Sequence, residues 1–178
     1  LIPSKAFALI EVDITRGNLN PLPLAVSPLS IDDNSKKSFE NILKKENIGS
    51  EISIIVENNL RTSGLFNPLN KDAFLQAPDI ANLKPRFEDW NLIKAQALIT
   101  GKVSFVNEKL RVEFRLWDVL AGKEMMALAF TTVPNNWRRV GHIITDKVYE
   151  RLTGEKGYFD TRIISVSYTH LRAHETSH

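Results

Sequence analysis

Apolar positions along the chain beat first with one period and then with another. Ile48, Ile52, Ile55 and Val56 recur at i, i+4, i+7 and i+8 and mark one face of a helix. Thr62-Ser63-Gly64 ends it, with Gly64 placed as the left-handed residue that stops a helix. Upstream the pattern is weaker. Glu11 to Ile14 alternate polar and apolar, as a short strand or an extended arm does, and Gly17-Asn18 and Asn20-Pro21 punctuate it. Leu22-Pro23-Leu24-Ala25-Val26 is a short apolar run whose prolines suit an edge strand or a strand start. From Ser30 to Asn47 the chain is rich in Lys, Asp, Asn and Ser. Only Phe39, Ile42 and Leu43 form a stripe there, which reads as a solvated loop or a marginal helix.

Leu65 to Leu69 reads as a short extended piece, and Asn70 to Lys84 as irregular. Pro85 stands near the start of a helix through Trp90 and Ile93. The period then becomes two. Ala97 to Val106 reads as a strand, with Gly101 as a bulge position. After a turn at Asn107-Glu108-Lys109, Leu110, Val112, Phe114 and Leu116 alternate with Arg111, Glu113, Arg115 and Trp117. Ala121-Gly122 turns the chain again into a third strand, Met125 to Val133, completing an antiparallel meander. Pro134-Asn135-Asn136 stops it and supplies an N-cap for a helix carrying Trp137, Val140, Ile144, Val148 and Leu152 on one face. Gly154 ends that helix, and Glu155 to Asp160 is a polar turn. Helices bracket strands throughout. The predicted fold class is therefore α+β, a two-layer domain with a mixed, largely antiparallel sheet packed by two long helices and a shorter one.

Composition narrows the function more than the fold. A formal net charge of +2 argues against an electrostatically driven nucleic-acid binder, although a local basic patch stays open. With no cysteine, a disulfide scaffold, a thiol nucleophile and a thiolate metal site are all excluded. No apolar run approaches the roughly 20 residues that span a bilayer as a helix.

Both ends carry processing signals. Ala6-Phe7-Ala8 fits the small-x-small pattern ahead of a signal-peptidase cut, so residues 1–8 read either as a signal-peptide remnant or as a plain strand. On the first reading the exported chain begins at Leu9. Val166 to Thr176 looks like the in-frame translation of a sequencing adapter, which makes 166–178 a tail foreign to the gene. Three of the four histidines, His170, His174 and His178, lie in it. His170 and His174 stand at metal-ligand spacing for a helix, but Leu171 replaces the glutamate of the zinc-protease motif.

Elsewhere no acid, base or nucleophile set converges. His142 reads as a residue on a helix surface or flank. Thr153-Gly154-Glu155-Lys156-Gly157 lacks the spacing of a phosphate loop and reads as a helix stop. Arg115, Arg138 and Arg139 are candidates for an anion site, with solvated surface residues as the plainer account.

In its later part the chain resembles a known family. The segments are Asn59 to Leu69, Trp90 with Ala97 to Val103, Phe114 to Val119, Asn136 to Ile144 and, most specifically, Tyr149 to Ile163. In this order they are similar to TolB N-terminal domains, from about Glu11 to Ile164. The long stretch Ile31 to Asn47 departs from the family, whose connection there is usually shorter. The resemblance implies an α/β unit similar to anticodon-binding domains, at the head of a six-bladed β-propeller, in a periplasmic, non-enzymatic adaptor of the Tol-Pal system. It implies residues 9–20 as the partner-binding arm, 21–160 as the domain and 161–165 as the start of the linker. Carried onto this chain, the TolA-contacting residues are Leu9, Ile10, Glu11, Val12, Asp13 and Ile14. Pal is bound by the propeller, no cofactor or metal is required, and the protein is a monomer. The alternative that the fold likeness raises is a nucleotide- or RNA-binding module.

Overall fold

The computed structural model describes residues 10–15, 20–161 and 167–171. Leu9, the proposed remnant at 1–8, linker residues 162–165 and tail residues 166 and 172–178 lie outside the described residues.

Seven strands form one sheet. Strand β1 (Leu22–Val26) pairs in parallel with β3 (Phe66–Pro68) on one side and with β4 (Ala97–Val106) on the other. The short β2 (Ser30–Ile31) runs parallel to the later part of β4. From β4 the sheet is antiparallel through β5 (Lys109–Asp118), β6 (Lys123–Thr132) and β7 (Ser167–His170). The expected meander is β4-β5-β6, closed by a turn in which Asn107 and Glu108 take positive φ of 50° and 61°, as a two-residue hairpin requires. The sheet is mixed, and the fold class is α+β.

Residue alternation sends Leu24, Val26, Ala97 and Ile99 to one face and Ala25 and Leu98 to the other. The first face carries the main core, under α2 (Ile48–Thr62) and α5 (Trp137–Thr153). Gly141 lets these two helices approach: a Cβ there would stand 2.6 Å from Ile55 Cγ2. The second face is covered in part by α3 (Pro78–Leu83) and α4 (Phe87–Leu92) around Trp90.

Several local expectations change. The prolines of Leu22–Val26 mark a strand start, but β1 is an interior strand, paired on both sides. The Pro23 carbonyl accepts from the Gln96 N–H at 2.9 Å, so the residue is still used as an acceptor. The polar stretch after Ser30 holds β2 and a true helix, α1 (Asp33–Leu43), because Asp32 caps it and Phe39 is buried against Phe105. The stretch 70–84, read as irregular, contains a 3-10 turn (Lys71–Ala73) and α3. Gln76 ties that region together. Its Oε1 accepts from Trp90 Nε1 and the Arg86 N–H, and its Nε2 donates to the Lys84 carbonyl, all at 3.0 Å. Gly101 is not a bulge. It sits in an unbroken ladder, where a Cβ would meet the Glu113 carbonyl oxygen at 2.5 Å. Asn136 precedes α5 but makes no capping bond; its amide donates to Thr132 Oγ1.

Candidate functional site

Among residues of the proposed arm, Ile10 to Ile14 are described, and they run along one end of the domain without joining the sheet. Two of their main-chain N–H groups donate hydrogen bonds to the domain. The Val12 N–H donates to the Leu152 carbonyl at 2.7 Å. That carbonyl is one of the last four of α5, which lack partners within their own helix, so the arm supplies what the helix end leaves unfilled. The Ile10 N–H donates to Asp118 Oδ2 at 3.2 Å. Asp118 ends β5, is 2% exposed, and is fixed by the Ala121 N–H on its other oxygen at 2.9 Å.

The arm's polar alternation sets which residues enter. Val12 is buried in the main core and Ile10 packs against it, while Glu11 and Asp13 face water. An extended chain would also bring Ile14 inward. Instead Asp13 Oδ1 accepts from the Thr15 N–H and hydroxyl at 2.9 and 2.6 Å. This turn leaves Ile14 38% exposed. The seat is thus two acceptors and one apolar socket, which together hold the arm. Sequence reasoning missed Asp118 and Leu152. Asp118 stands at a strand end without a motif around it, and a helix-end carbonyl has no side-chain signature.

The other candidates do not converge. Arg115 pairs with Glu124 at 3.0 Å, Arg139 with Asp160 through two bonds of 2.9 Å, and Arg138 stacks on the Trp137 ring at 4.5 Å. His142 lies on the flank of α5, its Nδ1 2.9 Å from Asn59 Nδ2 of α2. Thr153 to Gly157 is the end of α5 and a turn, as read. His170 falls in a strand, so the helical pairing with His174 is not formed at that residue. No group of three or more His, Asp or Glu side chains among the described residues is placed to hold a metal. Burial pushes the Tyr149 phenol up, with Tyr158 and Glu155 adding to the shift, so it stays protonated at neutral pH. No helix among the described residues is long and apolar enough to cross a membrane.

Comparison with known proteins bears on the family and the fold. A model of the TolB amino-terminal domain matches residues 10–125. The Tol-Pal system protein TolB of Pelagibacter ubique (strain HTCC1062) is 86% identical over 167 residues, which is 94% of this chain and 37% of that protein. The crystal structure of TolB from Acinetobacter baumannii shares the fold, with a TM-score of 0.61 at 20% identity, covering 86% of this chain and 32% of that one. This chain therefore spans about a third of the length of those two proteins.

Proposed function

The chain belongs to the TolB amino-terminal domain family, and from that premise we propose that it is the adaptor end of a periplasmic Tol-Pal protein that works by binding and not by catalysis. On this reading the arm, Leu9 to Ile14, engages TolA. A propeller beyond the described residues engages Pal, and the pair couples inner to outer membrane during envelope constriction and supports outer-membrane integrity. Bacteriocin import uses the same assembly. One observation carries the reading: the described part of the arm lies outside the sheet, its Ile10 and Val12 N–H groups donating to the Asp118 carboxylate and the Leu152 carbonyl, while Glu11, Asp13 and Ile14 stay exposed. A segment held this way can leave its seat and add to a partner's sheet edge through the same N–H groups.

Deleting Leu9 to Ile14 is expected to abolish TolA binding on calorimetry while near-ultraviolet dichroism still reports a packed core. Undiminished TolA affinity would refute the arm assignment. The RNA-binding alternative gains no support from the arginines, since Arg115 and Arg139 are neutralised by carboxylates and the third, Arg138, lies against Trp137.

A further inference from the structure

On the second face of the sheet a hollow of about 400 Å³ opens between β2, the start of α1 and α3. Strand alternation puts Lys102 of β4 on this face with Leu98, and the side chain forms one wall. Asp32 and Asp33 line the hollow from the start of α1, and Asp79, Asn82 and Leu83 from α3. Asp32 is already served. Its Oδ1 accepts from the Ser35 N–H at 2.9 Å and its Oδ2 from the Ser35 hydroxyl at 2.8 Å. These two bonds, with the Lys102 cation adding to them, hold the Asp32 carboxyl below its usual range. Three other groups are not served. The Asp33 and Asp79 carboxylates make no hydrogen bond or ion pair among the described residues. Asn82 is 5% exposed, and its Oδ1 is buried without a hydrogen-bond partner. Buried polar atoms in folded proteins are nearly always paired, so an orphaned acceptor in the wall of a hollow points to a donor that belongs there.

We propose that this hollow is a docking site for an arginine side chain carried by an extended segment of a partner protein, with Asp33, Asp79 and Asn82 as its acceptors. Three carboxylates and one ammonium line the hollow, so its occupant is a cation. The carboxylates are not gathered as ligands of a metal ion. An ammonium is a point charge, whereas a guanidinium spreads five N–H donors over a rigid plane and can serve acceptors on separate walls at once. The apolar rim favours a protein segment over a free guanidinium compound. Leu83 is 83% exposed and Ile80, on the same helix, 53% exposed, which suits the methylene stem of an arginine and an apolar residue beside it. The site is separate from the seat of the arm and does not depend on the arm's role: Asp118 faces Ala97 at the start of β4, and Lys102 lies in its later part.

The test titrates the full chain with the peptide N-acetyl-Leu-Arg-Leu-amide and follows main-chain amide resonances by NMR. Saturable shifts are expected at Asp33, Asp79 and Asn82. The same peptide with lysine in place of arginine is expected to bind about tenfold more weakly, because an ammonium cannot bridge the separate acceptors. Asp79→Asn, at an exposed position, should weaken the arginine peptide by about tenfold, the loss of one charge-assisted hydrogen bond. Asn82→Leu keeps the branching at Cγ and removes the orphaned acceptor. It should weaken the peptide by a similar factor while thermal melting reports a fold no less stable, a combination that a purely structural asparagine would not give. Ethylguanidinium alone should bind at least about tenfold more weakly than the peptide, since it lacks the apolar contacts with Ile80 and Leu83. Deleting Leu9 to Ile14 should leave the peptide affinity unchanged. Absence of saturable shifts at the three residues, equal binding of the lysine peptide, an affinity indifferent to Asp79→Asn and Asn82→Leu, or ethylguanidinium binding as tightly as the peptide would overturn the proposal.

Discussion

Replacing Asp118 by Asn takes one charge and one hydrogen bond from the seat of the arm and leaves its shape. Asp118 is 2% exposed, with one oxygen on the Ala121 N–H at 2.9 Å and the other on the Ile10 N–H at 3.2 Å. Asparagine keeps one acceptor for the turn and sets its amide N–H₂ against the Ile10 donor. A bond to a charged group contributes about 1.5–3 kcal/mol net, and at 3.2 Å the lower end applies. The loss is then about 1.5 kcal/mol, roughly tenfold in an equilibrium. Whether tenfold matters depends on the rest of the seat. Burial of Val12 contributes about 2 kcal/mol and its bond to Leu152 about 1. Ordering the three residues Ile10 to Val12 costs about 3–6 kcal/mol. Docking is therefore close to balanced, and Asp118→Asn is expected to move the arm largely out of its seat. Hydrogen exchange at the Val12 amide should accelerate about twofold, because the undocked fraction rises from about one half to about nine tenths. If only the undocked arm binds, calorimetric affinity for TolA should tighten by the same factor, since apparent affinity scales with the competent fraction. Unchanged exchange at Val12 would show that Asp118 does not hold the arm. Faster exchange with unchanged TolA affinity would show that docking and partner binding are not exclusive.

Two further outcomes concern the scaffold. Gln76→Ala strands the buried Trp90 indole N–H and removes the part-buried bonds to the Arg86 N–H and the Lys84 carbonyl, so urea denaturation should show a loss of about 2–3 kcal/mol with the spectrum of the folded state unchanged. Asp32→Ala should cost about 1 kcal/mol at neutral pH as a lost N-cap. The Ser35 main-chain N–H, followed by its hydroxyl, holds the Asp32 carboxyl below its usual range. A depressed folded-state pKa gives stability that is present above the unfolded value and is lost as pH falls through the folded one. The parent should therefore lose its advantage over Asp32→Ala below pH about 4, and an advantage that persists in acid would refute the assignment.

Periodicity alone located α2, the β4-β5-β6 meander, α5 and its stop at Gly154, because each buries one continuous apolar face and local order and core placement then agree. It was weaker wherever a segment is held by few contacts. Helix α1 has a thin stripe and stands on its Asp32 cap and on Phe39. Helix α3 and the turn before it depend on one buried amide, Gln76, whose three partners lie 8 to 14 residues away. The position of β1 inside the sheet was not legible either. Its prolines look like edge residues, and only pairing with β3 and β4, distant in sequence, makes it interior.

The arm divides in the same way. Its existence and its alternation, Val12 against Glu11 and Asp13, belong to the sequence. Where it rests does not. The Asp118 carboxylate and the Leu152 carbonyl stand 108 and 140 residues beyond their arm partners, and the second is a main-chain atom present at every position. A side-chain pattern determines which face of a segment seeks the core. Which unpaired donor meets which unpaired acceptor is decided only once the helix ends and strand ends have been brought together.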